Sequence, residues 1–138
     1  MTQDAFAVVV DALARRDLTA SELEERLARA GFDAEARAEA LARAAESGYL
    51  DDERAARERA RVLAHRGSSD ATIRADLARR GVAEEVAESA LAAVTPEEER
   101  AATLAKRLGG GPRAARALIR KGFPEDVVER TVDLQIAE

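Results

Sequence analysis

LARRGVAEEVAESAL at residues 77–91 aligns without gaps with LARAGFDAEARAEAL at residues 27–41 and with LIRKGFPEDVVERTV at residues 118–132. All three share the pattern L-x-R-x-G followed by Phe or Val, with an apolar residue or alanine nine and fourteen positions after the leucine. The copies begin 50 and then 41 residues apart. Self-similarity at such a spacing is typical of a repeat protein built from small helical units.

Each copy predicts the end of one helix, a turn and the start of the next helix. The glycine stands where a helix C-terminus favours a residue that can adopt a left-handed backbone conformation. The apolar residue after it can fold back onto the helix that has just ended. The glycines are Gly31, Gly81 and Gly122, and the apolar residues are Phe32, Val82 and Phe123.

A further helix precedes each copy, so every unit is predicted to contain three helices. Thr19 and Glu22 have the spacing of a capping box, Ser68 and Ser69 can cap in the second unit, and GGGP at residues 109–112 breaks the chain in the third. The three units are residues 1–48, 49–95 and 96–138. The nine predicted helices are 4–16, 20–30, 34–47, 52–66, 70–80, 84–93, 97–108, 112–121 and 125–136.

The helical period also predicts the core of each unit, and many further buried positions must be alanine. In the first unit the predicted core residues are Leu13, Leu23, Leu27, Phe32 and Leu41. In the second they are Val62, Leu63, Ile73, Leu77, Val82, Val86 and Leu91. In the third they are Leu104, Leu108, Leu118, Phe123, Val127, Val128 and Val132.

The composition favours an all-α protein, because alanine, arginine, glutamate and leucine dominate. The net charge is −5, and residues 1–48 hold ten acidic and six basic side chains. A generic polyanion binder is usually basic overall.

The apolar run AFAVVV at residues 5–10 is too short to span a bilayer and follows no basic segment. We therefore expect a soluble, cytoplasmic protein.

The sequence offers no catalytic, metal or cofactor site. It contains no cysteine, and His65 is its only histidine, so neither a thiolate site nor a histidine-based relay can be assembled. The glycines at residues 109–111 lack the Lys-Ser/Thr ending of a phosphate-binding loop. The chain is therefore predicted to be a binding protein rather than an enzyme.

Rows of basic side chains are the candidates for partner binding. Arg54, Arg57 and Arg61 are spaced to share one helix face, and Lys106 and Arg107 add to the charge of the third unit. The other candidates are Arg79, Arg80, Arg113, Arg116, Arg120 and Lys121. They fit phosphates or an acidic protein groove, although arginines near helix C-termini also compensate the helix dipole without any partner. With one tyrosine, three phenylalanines and no tryptophan, base stacking is not expected.

The segment SGYLDDERAAR at residues 47–57 is predicted to join the first unit to the second. Gly48 ends a helix, and Tyr49 and Leu50 are expected to fold back and fix that end against the neighbouring unit. Asp51 or Asp52 is expected to cap the next helix. The single tyrosine is therefore interpreted as a structural contact.

The three-helix units, the L-x-R-x-G turn in each and above all GYLDDER at residues 48–54 resemble the RecX family, the bacterial regulators of the RecA recombinase. The resemblance spans about residues 15–133. It implies an elongated, curved all-helical protein with no catalytic site and no cofactor, which lies in the groove of a RecA filament on single-stranded DNA. There it would inhibit the recombinase by blocking strand exchange and filament ATP hydrolysis, or by promoting filament disassembly. Such a role belongs to DNA repair, recombination and the SOS response.

Two residues depart from the pattern of that family. Ala55 and Arg59 stand where the family usually has a phenylalanine and a second aromatic or aliphatic residue.

Two alternative functions also fit the sequence. One is a helical scaffold of the same fold that no longer binds RecA, and the other is a weak DNA-binding module that uses a helix-turn-helix-like pair. A monomer is expected in each case.

Overall fold

The computed structural model describes the backbone of residues 3–137 and the side chains of residues 3–132. All regular structure within that range is helical. The helices are α1 (Ala5–Arg15), α2 (Ala20–Arg29), α3 (Ala34–Glu46), α4 (Asp52–His65), α5 (Asp70–Arg79), α6 (Glu84–Ala92), α7 (Glu97–Arg107), α8 (Gly111–Arg120) and α9 (Glu125–Ala137). The nine predicted helices are confirmed, and each end lies within one residue of its predicted position.

Local signals set most of these helix ends. The side chains of Asp4, Thr19, Asp33, Asp51 and Ser69 each accept a hydrogen bond from a backbone N–H in the first turn of the helix they precede. The cap at α2 is the predicted capping box, because the carboxylate of Glu22 also accepts from the N–H of Thr19. A side-chain acceptor thus satisfies an otherwise unpaired helix N–H at five starts.

The three repeated glycines end α2, α5 and α8 in the same way. Gly31, Gly81 and Gly122 have φ angles of +92°, +80° and +90°. The N–H of the next residue donates back to the leucine carbonyl that begins each copy, as in Phe32 to Leu27. This is the hydrogen bond of a Schellman turn, and it turns the chain toward the next helix.

The helices pack within three consecutive sets: α1–α3 form the first set, α4–α6 the second and α7–α9 the third. Each set has its own core, centred on Leu23 and Leu27, on Ile73 and Leu77, and on Leu118. Alanines fill the rest, because a small side chain lets two helices approach closely. The buried alanines include Ala40, Ala44, Ala56, Ala60, Ala101, Ala105 and Ala114.

Most predicted core residues are at least partly buried, with one clear exception. Leu108 is exposed, so its assignment to the core is wrong. It is the C-terminal cap of α7 and stands just before Gly109, where the chain leaves the helix and the helical period no longer applies. Val9, Leu18 and Leu50 are buried, although the predicted core does not include them.

The three sets stack in a row rather than around one centre. The accessible surface is 8597 Å² for a mass of 14.8 kDa. A compact monomer of that mass exposes about 7,000 Å². The excess of surface fits an extended array of small cores, in which each set contacts its neighbour. No helix of the described residues is both long and apolar enough to cross a membrane.

Candidate partner-binding surface

The GYLDD segment closes the first set and starts the second. Gly48 has a φ of +80°, and the N–H of Leu50 donates to the carbonyl of Ala44. Leu50 is buried in the core of the first set, and the ring of Tyr49 lies edge-on to Phe6 at a centroid distance of 6.2 Å. The expected packing of both side chains against the second set is therefore corrected, because this turn folds them onto the set that they end.

The two aspartates and the arginine that follow connect the sets. Asp51 caps α4, whereas the Asp52 carboxylate accepts from the N–H of Ala20, the first residue of α2, at 2.8 Å. Arg54 donates to Asp17 at 3.1 Å and to the carbonyls of Gly48 and Tyr49. Its hydrogen bond to Asp17 raises the pKa of Arg54. Arg54 thus belongs to the connection between the sets, and we call this contact region the first joint.

A second part of the first joint is an ionic cluster around Asp76. Its carboxylate accepts two hydrogen bonds from Arg59, both at 3.0 Å, and one from Arg80 at 2.8 Å. The bonds from Arg59 lower the pKa of Asp76, and the bond from Arg80 lowers it further. Arg80 also reaches Glu22 of the first set at 3.3 Å. Arg59 therefore has a structural partner, which explains a charged residue at a position that the family usually fills with an apolar one.

Arg79 and Ala55 also lie in this region. Arg79 is exposed, and its guanidinium lies 3.6 Å from Oδ2 of Asp76. Ala55, which replaces the usual phenylalanine, is buried. A small residue there leaves room for the approach of the first set, whose Arg16, Asp17 and Thr19 line a small cavity together with Ala55.

The third set meets the second through Arg100, a contact region that we call the second joint. Arg100 is the fourth residue of α7, and its side chain is 3% exposed. It donates to the carbonyls of Ser68 and Thr95 at 3.1 and 2.6 Å and to the Asp70 carboxylate at 2.6 Å. This buried cation holds α7 against the loop between α4 and α5 and against the start of α5.

An open cleft of about 460 Å³ lies between α4 and α7, and we call it the α4–α7 cleft. Arg57, Arg61 and His65 line it at successive i, i+4 positions of α4, and Arg107 lines it from α7. They project from the side of α4 opposite its buried alanines. The rest of the lining is Ala64, Gly67, Ala93, Val94, Thr95, Arg100, Thr103 and Leu104. None of the described residues that line the cleft is acidic.

The cations of the cleft are available to a partner to different degrees. Among the described residues, Arg57 and Arg107 have no ion pair. Arg61 pairs with Glu58 at 2.6 Å, but both side chains are more than half exposed. Such a surface pair is worth about 0–1 kcal/mol and can be exchanged for a partner. Arg100 in the wall is already committed to its own acceptors.

A separate row of cations lies on α8. Arg113, Arg116 and Arg120 are exposed and have no ion pair within the described part of the chain. Ile119 beside them is exposed too. Lys121 instead donates to the carbonyl of Arg66 at 3.3 Å and so bridges the second and third sets. We call Arg113, Arg116 and Arg120 the α8 row.

The structure thus divides the nine predicted binding residues among different places. Arg57 and Arg61 enter the cleft, and the α8 row and Arg79 face solvent, whereas Arg54, Arg80 and Lys121 make contacts between sets. The role of Arg100 was missed, although EER at residues 98–100 repeats DER at residues 52–54. Thr103 and Arg107 lie three and seven residues beyond Arg100, and this helical spacing could have indicated one lining face on α7.

Comparison with known proteins places these features in a family. The model of the first three-helix domain of RecX matches residues 5–43, and that of the second three-helix domain of RecX matches residues 51–91. The regulatory protein RecX of Chromohalobacter salexigens is 38% identical over 129 residues, covering 87% of this chain and 85% of the relative. That of Stenotrophomonas maltophilia is 32% identical over 128 residues, covering 86% and 78%.

Solved structures show the same fold. The crystal structure of RecX from Lactobacillus salivarius superimposes with a TM-score of 0.80 at 20% identity, over 94% of this chain and 95% of that one. A second crystal structure of a regulatory protein RecX gives 0.77 at 23% identity, over 94% and 70%. The tandem three-helix architecture is therefore shared at low sequence identity.

Proposed function

The chain belongs to the RecX family, and we propose that it is a regulatory protein that binds in the groove of a RecA filament on single-stranded DNA and inhibits the recombinase. The family and its relatives named as regulatory proteins support a regulatory role. The proposal assigns no catalysis to the chain. It treats the three sets as repeats with boundaries near residues 48 and 95, acting as a monomer in the cytoplasm during recombination, repair and the SOS response.

The acid-free cleft is the observation that carries the proposal. The net charge of the chain is −5, yet the described residues that line the α4–α7 cleft include Arg57, Arg61 and Arg107 and no carboxylate. Local cations in an acidic protein favour a partner that is recognised at one surface over general attraction to polyanions. A filament offers both phosphate groups and acidic protein side chains to such a surface.

The extended shape also supports the groove as the binding site. Three cores in a row expose more surface than one compact core of the same mass. The α8 row on the third set adds cations beyond the cleft, so contacts can be distributed along a long partner. A filament groove provides such an extended surface, whereas a small globular partner does not.

Co-sedimentation tests the proposal directly. The protein is mixed with RecA filaments assembled on single-stranded DNA, and with the same DNA alone, at low and at physiological salt. We expect it to sediment with the filament and not with bare DNA, and to lower strand exchange and filament ATP hydrolysis. If it sediments with neither at micromolar concentration, the proposal fails and a scaffold role is favoured; sedimentation with bare DNA alone favours a DNA-binding module.

Charge reversal then tests the surface. The variant with Arg57→Glu and Arg61→Glu is compared with a control in which Arg26→Glu and Arg29→Glu are changed in the first set, where both arginines are exposed. We expect the cleft variant to weaken filament binding by about tenfold or more and the control to bind nearly as the unchanged chain does. Equal losses in both variants would place the interface elsewhere.

A further inference from the structure

We infer that the α4–α7 cleft binds a carboxylate-bearing segment of the protein partner, with an apolar side chain next to the carboxylate, rather than a nucleic-acid phosphate. The inference rests on the proposed function and specifies the chemistry of its main contact. The lining of the cleft combines cations with apolar side chains.

The positive charge of the cleft indicates that the bound group is negatively charged. Arg57 and Arg107 have no ion pair among the described residues, and they line the cleft from opposite helices. An arginine guanidinium can donate two parallel hydrogen bonds to one carboxylate. The hydroxyls of Thr95 and Thr103 add neutral donors to the same cleft. These groups together suit one or two carboxylates.

The apolar part of the lining distinguishes a protein segment from a phosphate backbone. Ala64, Val94 and Leu104 lie in the cleft among the arginines. A volume of about 460 Å³ is within the range of small-ligand pockets and accommodates an apolar side chain beside an acidic one. A single-stranded backbone gains from a track of cations and from aromatic faces for its bases, and no phenylalanine, tyrosine or tryptophan is among the described residues that line this cleft.

The cleft is also pre-formed, which favours a short segment as the occupant. Arg100 fixes one wall through the carbonyl of Thr95 and the other through the carbonyl of Ser68. Leu104 packs 3.4 Å from the position that a Cβ of Gly67 would occupy. Binding therefore requires ordering of the incoming segment alone, and a pre-organised site lowers the cost of association.

A cross-linking experiment on the filament complex tests the inference. The chain has only two lysines, Lys106 and Lys121, so a lysine introduced by Arg57→Lys or Arg107→Lys is identified unambiguously by mass spectrometry. A carbodiimide couples a lysine amine to a nearby carboxylate. We expect each cleft lysine to join an acidic residue of the recombinase next to an apolar one. The matched control is Arg26→Lys on the exposed face of α2, which is expected to form no such adduct.

A peptide titration provides a second readout that does not depend on the filament. The probes are a short labelled peptide in which glutamate alternates with leucine, its glutamine counterpart and an oligo-dT strand. We expect the acidic peptide to bind and to shift the amide resonances of Thr95 and Thr103, and the variant with Arg57→Glu and Arg107→Glu to bind it about tenfold more weakly. Unchanged circular dichroism and urea midpoint show that the variant is folded.

The outcomes separate this inference from the proposed function. If the chain binds the filament but the cleft lysines form no adduct with protein, or if oligo-dT alone shifts the cleft resonances, the inference is wrong and the proposed function stands. Equal binding of the glutamine peptide also overturns it. If the chain does not bind the filament at all, the proposed function fails, whereas the peptide titration still decides which chemistry the cleft accepts.

Discussion

The two joints of the molecule use the same backbone contacts but bury different charges. In both joints, the first helix of a set begins with an acidic residue. The carboxylate of that residue accepts a hydrogen bond from the first backbone N–H of the middle helix in the preceding set. These pairs are Asp52 with Ala20, at 2.8 Å, and Glu97 with Asp70, at 2.7 Å. An arginine in the same helix turn bonds loop carbonyls nearby, namely Arg54 in the first joint and Arg100 in the second.

The contact at the middle helices is also repeated. Thr19 donates its hydroxyl to the carbonyl of Arg80, and Thr72 donates to the carbonyl of Lys121. Each acceptor directly precedes one of the repeated glycines, where a side chain would collide with the preceding set. A Cβ at Gly81 would lie 2.2 Å from that of Ser21, and one at Gly122 would lie 2.9 Å from the Ser69 hydroxyl oxygen.

The difference lies in where the charge is shielded from water. In the first joint the side chain of Arg54 is 41% exposed, and the protected charge is Asp76, whose side chain is 11% exposed. In the second joint the protected charge is Arg100, and Ala117 occupies the position equivalent to Asp76. The repeated contacts to the backbone thus define how the sets stack. The side chains that differ determine the stability of each joint and the pH dependence of that stability.

The largest expected effect is at Arg100. Arg100→Met keeps an apolar stem but leaves Asp70 and two loop carbonyls without their donor, so we expect a loss of about 3 kcal/mol in the free energy of unfolding, measured by urea denaturation. The equivalent Arg54→Met removes a partly exposed ion pair and should cost about 1 kcal/mol. Equal losses would show that the burial of the arginine does not distinguish the joints.

The glycines should give a graded series. Gly81→Ala combines a strained φ, worth about 1–2 kcal/mol, with a collision against Ser21, so we expect a total loss of about 2–3 kcal/mol. At Gly31 the space around a new Cβ is open, so Gly31→Ala should lose stability only through the strained φ. In a double-mutant cycle, Ser21→Gly should restore part of the stability of Gly81→Ala, because it removes the atom that collides. The absence of any coupling between the two changes would exclude the collision.

The sequence predicted the fold well because its signals are local. A glycine, the apolar residue after it and a capping side chain act within a few residues, so all nine helices could be placed. The contacts that each arginine makes could not be predicted from such local signals. Arg54 and Arg57 are one helical turn apart, yet Arg54 pairs with Asp17 and Arg57 faces the cleft. Only the stacking of the sets decides this, because Asp17 is distant in sequence.

The pH dependence of stability should come in part from the first joint. The pKa of Asp76 is lowered mainly by Arg59, so its contribution is complete above the unfolded value of about 3.9 and is lost as the pH falls through the lower folded value. We expect Asp76→Asn to cost about 1–2 kcal/mol at neutral pH and to reduce the loss of stability on acidification. Glu25→Gln, at an exposed pair with Arg29, is the control and should leave the acid response unchanged.

The smallest effect is expected at Thr72, which distinguishes the hydroxyl contacts of the two joints. Thr72→Val removes a hydrogen bond of 3.1 Å to the carbonyl of Lys121, but the site is exposed and water can replace the donor, so we expect a loss of about 0.5 kcal/mol. Thr19→Val should cost more, about 1–2 kcal/mol, because Thr19 is buried and also caps α2. Urea midpoints at constant slope measure both. If Thr72→Val is the more harmful change, the hydroxyl at the second joint has a larger role than its exposure implies.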